Sequence, residues 1–149
     1  MTHIPCTVRR FADGYLPFVT FSILQPPLYV TIDALVDTGS PFTVLSPKDA
    51  LSTRLPLSRM RSGPTIGLAG CTFFRHNIGT VALYFRKEDG RLLSVEVPSM
   101  NVLVPTKMDS KTLEQVEVIP SLVGTDLLKD KGWSLYFNPG ANRAYLEIP

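Results

Sequence analysis

Short runs of β-branched and aromatic residues alternate with turn residues along most of this chain. Residues 10–24 predict strands on both sides of a turn at Asp13, and residues 29–36 predict a strand that is fully apolar at its end. Residues 65–86 predict a long β-hairpin, and residues 92–97 alternate between apolar and polar side chains. Short patterned runs of this kind are typical of sheets, so the pattern predicts an all-β fold.

The pattern continues into the second half of the chain. Residues 105–111 are polar and predict a surface loop, and residues 113–119 alternate again, as strand residues do. Residues 133–137 and 143–148 predict two closing strands. The second half is therefore also expected to consist mainly of strands.

Two positions predict helix starts. Ser46 followed by Pro47 has the residue types preferred at a helix cap and at the first helical position. Further along, Thr125 and Asp126 follow Gly124, and an acidic side chain there suits the positive end of a helix. Both helices are expected to be short.

Composition limits the classes of protein that the chain can represent. Its 149 residues are 44% hydrophobic, which suits one domain over residues 1–149 with a core of its own. No run approaches the roughly 20 consecutive apolar residues of a membrane-spanning helix. The N-terminus lacks the apolar core of a signal peptide, so we expect a cytoplasmic protein without a membrane partner.

Charge and cysteine content exclude further classes. The formal net charge is +2, and no basic run interleaved with aromatic residues is present, so no nucleic-acid partner is expected. Cys6 and Cys71 are the two cysteines. Two cysteines do not make a disulfide framework, and we expect free thiols.

Asp37, Thr38, Gly39 and Ser40 directly follow the apolar end of residues 29–36. A strand that ends in this way delivers a carboxylate to a tight turn, where glycine can adopt backbone angles closed to other residues. Tetrapeptides of this kind also occur in ordinary turns. On these residues alone, a simple turn in which Asp37 caps backbone amides stays open.

A second segment, residues 121–128, places Gly124 and Asp126 between an apolar run and a predicted helix. Together with residues 37–40, this segment resembles the retroviral-type aspartic proteases, the retropepsins, over residues 15–149. In that family the corresponding segment packs beside the catalytic loop. The resemblance implies that Gly124 permits close backbone approach and that Asp126 has a structural role.

The predicted hairpin over residues 65–86 carries a third, tentative feature of the family. Retropepsins close a glycine-rich hairpin, the flap, over the substrate. The resemblance implies a flap at Gly67, Leu68, Ala69 and Gly70, whose amides would reach the carbonyl groups of a peptide. An ordinary hairpin or a bulged strand stays open at this position.

The resemblance implies a fold and a mechanism. The expected fold is a closed barrel of short strands with one short helix in the C-terminal half and an active site at a homodimer interface. Because the chain carries one such loop, two Asp37 carboxylates from two chains would share a proton and activate a water. The substrate would be an extended polypeptide, and no cofactor or metal is required.

The neighbouring loop residues would support this chemistry. By resemblance, Thr38 would hydrogen-bond across the dimer, and the Gly39 amide would support the carboxylate of Asp37. Ser40 stands where the viral enzymes commonly have alanine, and its hydroxyl is expected to hydrogen-bond Asp37 and stabilise the charged form. Asp33, four residues earlier on the same strand, is too far along the chain to share a water with Asp37.

Two alternatives to an aspartic endopeptidase stay open. One is a retropepsin-like module that dimerises and binds peptides but cuts them poorly. The other is an unrelated β-barrel in which residues 37–40 form a turn. A monomer with Asp37 remote from any partner would favour the second alternative.

Overall fold

Strands carry most of the chain in the computed structural model, which describes residues 2–26, 28–107 and 109–149. The strands of this part of the chain are β1 (Thr2–Phe11), β2 (Gly14–Gln25), β3 (Leu28–Val36), β4 (Val44–Leu45), β5 (Thr65–Leu68), β6 (Cys71–Arg86), β7 (Leu92–Pro105), β8 (Ser121–Val123), β9 (Ser134–Asn138) and β10 (Arg143–Ile148). The helices are α1 (Pro47–Leu51), α2 (Ser110–Val118) and α3 (Thr125–Lys131), with 3₁₀ turns at Leu57–Arg59 and Pro139–Ala141. The prediction of an all-β class is confirmed.

All ten strands belong to one sheet, in the order β5-β6-β7-β4-β8-β3-β2-β1-β10-β9. Most neighbours are antiparallel, but β3 runs parallel to β8 and β4 runs parallel to β7. An additional pairing joins Phe21 and Ser22 of β2 to β6. Because of this pairing, the run of neighbours from β6 through β7, β4, β8 and β3 to β2 closes on itself.

Large aromatic side chains fill the centre of the closed part of the sheet. Phe85 is fully buried and contacts Phe21 with ring centroids 5.6 Å apart. Trp133 meets Phe85 edge-on at 5.2 Å. Edge-to-face contacts between aromatic rings are favourable beyond the area they bury. A second buried cluster, which includes Leu103 and Leu122, lies on the side of the sheet that carries the candidate site.

Both predicted helix starts are present. The Ser46 side chain accepts a hydrogen bond from the Asp49 amide at 3.2 Å, and Pro47 occupies the first turn of α1. The helix α3 begins after Gly124 and ends at Gly132, whose φ of 67° lies in the left-handed region that favours glycine. None of the helices described is both long and apolar enough to cross a lipid bilayer.

One stretch of the second half differs from its prediction. The strand expected over residues 113–119 is wrong, as is part of the loop expected over residues 105–111, because α2 occupies Ser110–Val118. The Asp109 carboxylate caps this helix by accepting the Thr112 amide at 2.8 Å. The C-terminal half therefore carries two helices rather than one. Thr112 and Val116, four residues apart, are the buried positions, which is helical spacing rather than strand alternation.

Candidate active site

Asp37 begins the loop that follows β3. The last residues of β3 pair with β8, with Val36 opposite Val123, and both side chains are buried. The Asp37 amide continues this ladder by donating to the Val123 carbonyl oxygen at 2.9 Å. The run before Asp37 is apolar because β3 lies inside the sheet and its last residues, directly before Asp37, are buried.

A tight turn holds the Asp37 side chain. The Ser40 amide donates to the Asp37 carbonyl oxygen at 3.1 Å, and the Gly39 amide donates to Asp37 Oδ1 at 2.9 Å. A Cβ atom at Gly39 would lie 3.2 Å from that same oxygen. Asp37 is half-buried and Thr38 is exposed. The turn thus presents a carboxylate whose position is set by the backbone around it.

The expected hydrogen bond from Ser40 to Asp37 is not formed. Ser40 Oγ donates to the Phe42 carbonyl oxygen at 2.8 Å and accepts the Phe42 amide at 3.3 Å. The chain bends at Pro41, which brings the Phe42 backbone to the hydroxyl group. Ser40 therefore shapes the loop after Asp37 instead of contacting its carboxylate.

Gly124 and the loop that follows β3 lie in direct backbone contact. A Cβ atom at Gly124 would lie 2.5 Å from the Phe42 carbonyl oxygen and 2.8 Å from the Ser40 carbonyl oxygen. The next residue, Thr125, donates its amide to the Ser40 carbonyl oxygen at 2.8 Å. Any side chain at position 124 would force the loop away from α3.

Asp126 connects to the same loop through Thr43. Its carboxylate accepts the Thr43 amide at 3.0 Å and the Thr43 hydroxyl at 2.7 Å. The Thr43 hydroxyl also accepts the Gly124 amide at 3.1 Å. Sequence reasoning missed Thr43, although it is the single polar residue in an apolar run, and a buried hydroxyl needs such partners.

The hairpin β5–β6 lies over the loop. Gly67 and Leu68 belong to β5, while Ala69 and Gly70 form the two-residue turn with φ values of 52° and 75°. Positive φ at both positions is typical of a tight hairpin turn that matches the twist of its strands. The four predicted flap residues thus lie at the end of a hairpin, two on the strand and two in the turn.

The loop and the hairpin share one pocket of about 300 Å³. Its walls are mainly apolar, and Asp37 is the acidic residue among them. The lining residues are Asp37, Gly39, Ser40, Pro41, Phe42, Val44, Ile66, Gly67, Leu68, Leu103 and Leu122. Of the predicted catalytic and flap residues, Thr38, Ala69 and Gly70 do not line this pocket, and neither do the predicted supporting residues Gly124 and Asp126. A carboxylate at one wall and a hairpin at another can hold an extended chain between them.

Asp33 lies outside the pocket and has a different environment. It accepts hydrogen bonds from the Thr20 hydroxyl and from Arg9 Nη2, the second at 2.9 Å. These two hydrogen bonds, of which the one from Thr20 has the larger effect, hold the pKa of the Asp33 carboxyl below its ordinary value. Asp33 is thus paired on the surface of the sheet. Within residues 2–26, 28–107 and 109–149, no group of three or more potential ligand side chains gathers in a way that could hold a metal ion.

Comparisons with known proteins bear on the fold. No family model matches this sequence, and no curated protein matches it. A crystal structure of a retropepsin-like aspartic protease from Rickettsia conorii matches with a TM-score of 0.58 and 18% identity, covering 95% of this chain and 87% of that chain. The chain has a retropepsin-like fold.

A second structural match is EIAV protease complexed with the inhibitor HBY-793. Its TM-score is 0.44 at 17% identity, and the match covers 87% of this chain and 100% of that chain. Identities this low bear on the fold alone, because one fold can host different functions. The predicted retropepsin-like fold is confirmed, and the chemistry of the site has to be argued from its own residues.

Proposed function

We propose that residues 1–149 form one domain that works as an aspartic endopeptidase in a homodimer. The observation that carries this proposal is the position of Asp37, half-buried and held by the Gly39 amide at 2.9 Å in a pocket that the hairpin β5–β6 also lines. A retropepsin-like fold is compatible with this chemistry. The expected substrate is an extended polypeptide.

The need for a second chain follows from the composition of the pocket. Water activation between carboxylates requires one group that accepts a proton and another that donates one. Asp37 is the one acidic residue among those that line the pocket in the part of the chain that the structure describes. A second copy of the chain would supply the other carboxylate. Thr38 is exposed beside Asp37 and is available for a contact across the dimer.

The proposed reaction uses both carboxylates in turn. Two like charges this close cannot both ionise, so the pair holds one proton, as in the known aspartic-protease dyads. The ionised Asp37 takes a proton from water while the water oxygen bonds to the scissile carbonyl carbon. The protonated Asp37 donates to the carbonyl oxygen. One hydroxyl of the resulting gem-diol then returns its proton to the ionised carboxylate as the carbon–nitrogen bond breaks. The departing amine takes up the proton of the other carboxyl group, so a carboxylic acid is released and the pair again holds one proton.

The first test is the substitution Asp37→Asn. The amide is nearly isosteric with the carboxylate but cannot act as a base, so we expect a loss of peptide cleavage of at least about a hundredfold. Cleavage of a fluorogenic peptide library by the purified full chain is the measurement. Asp33→Asn is the matched control, because Asp33 lies on β3, the strand that leads into Asp37, but outside the pocket. Activity within about tenfold of wild type for Asp37→Asn would contradict the aspartic mechanism.

A second candidate function is a peptide-binding module that cuts poorly. One observation favours it, since the Gly39 amide is the single hydrogen-bond donor to the Asp37 side chain within the described chain. Peptide binding without turnover, unchanged by Asp37→Asn, would identify this function. Turnover that disappears with Asp37→Asn would exclude it.

A further inference from the structure

Arg75 makes the closest cation–aromatic contact in the described chain. Its guanidinium carbon lies 3.6 Å from the centroid of the Phe42 ring. The other such contacts, made by Arg9 and Arg143, lie at 5.0 Å or more. A separation of 3.6 Å is the contact distance of two stacked planes, so the guanidinium group covers one face of the ring.

Phe42 belongs to the candidate site. Phe42 lines the pocket that contains Asp37, and its backbone is hydrogen-bonded by Ser40 and lies in close contact with Gly124. The ring that carries the Arg75 guanidinium group is thus part of a wall with a defined position. The Arg75 guanidinium group therefore lies next to a residue of the pocket wall, although Arg75 itself is not among the lining residues.

The position of Arg75 on β6 also places it on the side of the sheet that carries the pocket. Arg75 pairs with Leu103 of β7 across the sheet, and directly opposed side chains on antiparallel strands share a face. Leu103 lines the pocket, so Arg75 lies on the pocket face of β6. Its amide donates to the Pro64 carbonyl oxygen at 2.8 Å, which fixes the backbone at the base of the hairpin.

The charge of Arg75 has no carboxylate partner among the described residues. The arginine at position 9 is paired with Asp33 at 2.9 Å, whereas the ion pairs of this structure do not include Arg75. Arg75 is half-buried, and removing part of a charge from water is unfavourable unless an opposite charge compensates. Stacking on Phe42 compensates in part and leaves the in-plane N–H donors of the guanidinium group free for a ligand.

We propose that Arg75 determines specificity by binding an acidic side chain of the substrate close to the scissile bond. The inference rests on the proposed function, because it places the peptide in the pocket with Asp37. A glutamate or aspartate at the matching position of the peptide would form a charge-assisted, bidentate pair with the guanidinium group. The apolar walls of the pocket would take the neighbouring apolar side chains.

Peptide binding tests this inference separately from catalysis. The full-length Asp37→Asn variant is titrated into a fluorescently labelled apolar octapeptide in which Glu is moved through every position, and into the same series with Gln. We expect at least one position where Glu binds about tenfold more tightly than Gln at low salt, as for a charge-assisted pair. Adding Arg75→Gln should reduce the preference to within about twofold, and Arg75→Lys should retain part of it.

Two further variants sharpen the result. Arg75→Glu is expected to reverse the preference, so that Lys at the same position binds better than Glu. Arg143→Gln is the matched control, because Arg143 also stacks on aromatic rings but lies on β10, towards the other end of the sheet order from β6. Thermal melting of each variant shows that it is folded.

The outcomes separate the two proposals. A Glu preference that persists in Arg75→Gln, no preference at any position, or no peptide binding at all would overturn the role of Arg75. Cleavage by the wild-type chain without any Glu preference would leave the endopeptidase intact and remove this inference. A Glu preference that depends on Arg75 in a chain that never cleaves would support the role of Arg75 in peptide binding and contradict the endopeptidase.

Discussion

At the scale of single residues, the candidate site depends on backbone groups that hold side chains in place. Asp37 accepts the Gly39 amide, and Ser40 binds the Phe42 backbone on both its donor and its acceptor side. Thr43 serves Asp126 and Gly124 at once. Each of these hydroxyl and carboxylate groups therefore makes hydrogen bonds within the loop region that a substitution can remove.

Ser40→Ala is expected to lower stability and to leave the pH profile of cleavage unmoved. The substitution removes both hydrogen bonds to Phe42, a loss of about 1 kcal/mol in the free energy of unfolding. The hydroxyl does not contact Asp37, so the acidic limb of the cleavage rate should stay in place. Urea unfolding and cleavage of one peptide from acid to neutral pH are the measurements.

The control for this prediction is Ser134→Ala at an exposed serine of β9, which should change stability by less than about 0.5 kcal/mol. An acidic limb that moves to higher pH in Ser40→Ala, with unchanged stability, would contradict this prediction and show that the Ser40 hydroxyl stabilises the Asp37 carboxylate.

The hydrogen bonds of Asp33 to Thr20 and Arg9 are expected to make a pH-dependent contribution to stability. The folded pKa of Asp33 is lowered by Thr20 and Arg9, so its pairing stabilises the fold above the unfolded value of about 3.9 and is lost as pH falls through the folded value. Both partners of the ion pair are about half-exposed, which limits the effect to about 1 kcal/mol. Urea unfolding of wild type and Asp33→Asn is compared from pH 7 to strongly acidic conditions.

The stability difference between wild type and Asp33→Asn should be largest near neutral pH and should shrink in acid. Asp13→Asn, at an exposed carboxylate in the first turn, is the matched control for introducing an asparagine. A difference that grows as the pH falls would show that the Asp33 pairing contributes in the opposite sense.

At the scale of elements, two contacts hold the loop after β3. The start of α3 meets the loop through Gly124 and Thr125, and the hairpin β5–β6 meets it through the stacking of Arg75 on Phe42. The loop is therefore clamped between a helix start and a hairpin base. Displacing either element should move the pocket that Asp37 lines.

Gly124→Ala tests the contact with α3. The added Cβ would lie 2.5 Å from the Phe42 carbonyl oxygen, which is backbone and cannot rotate away. We expect a loss of about 3 kcal/mol in the free energy of unfolding, and a fall in any peptide cleavage because the loop must shift. Urea unfolding followed by intrinsic fluorescence gives the first quantity, and the peptide assay gives the second.

Gly14→Ala is the matched control for that substitution. A Cβ atom at Gly14 would meet no heavy atom within 4 Å, so stability should change by less than about 1 kcal/mol. If Gly124→Ala were as stable as Gly14→Ala, the close backbone approach between the loop and α3 would not be a requirement of the fold.

At the scale of the whole molecule, the proposed site is half of a pair. The chain closes part of its sheet through the β2–β6 pairing, yet its pocket contains a single acidic residue among the described residues. If two chains share one site, the activity must depend on how the chains associate. If one chain formed the whole site, its specific activity would not depend on protein concentration.

Subunit mixing measures this dependence. When wild type is mixed with an equal amount of Asp37→Asn and allowed to exchange, roughly a quarter of the dimers should keep two wild-type subunits, so specific activity per wild-type chain should fall by about half. Diluting the wild type below its dimer dissociation constant should also lower specific activity. Mixing with Asp33→Asn is the control and should leave activity per chain unchanged.

A wild-type activity that is independent of both mixing and dilution would show that one chain suffices. That result would contradict the homodimeric site while leaving the role of Asp37 to be decided by its own substitution. The two measurements thus address the chemistry and the assembly of the site separately.

Much of the architecture was predictable from the chain because it depends on local patterns. The apolar run into Asp37 predicted a buried strand, Ser46 and Pro47 predicted α1, and the alternation after residue 90 predicted the start of β7. The helix α2 was not predicted, because Val116, Glu117 and Val118 alternate between apolar and polar side chains as strand residues do. The segment is a helix because the rest of the protein buries Thr112 and Val116, which are four residues apart and share one helical face.

The contacts of the site required the tertiary structure. The Ser40 hydroxyl lies within reach of more than one acceptor, and only the bend of the folded loop selects the Phe42 backbone over Asp37. Asp126 and Thr43, and likewise Arg75 and Phe42, are far apart in sequence and meet only when the sheet is assembled. Periodicity and turn chemistry act over a few neighbouring residues, whereas these partnerships depend on which strands become neighbours, and that is a property of the whole chain.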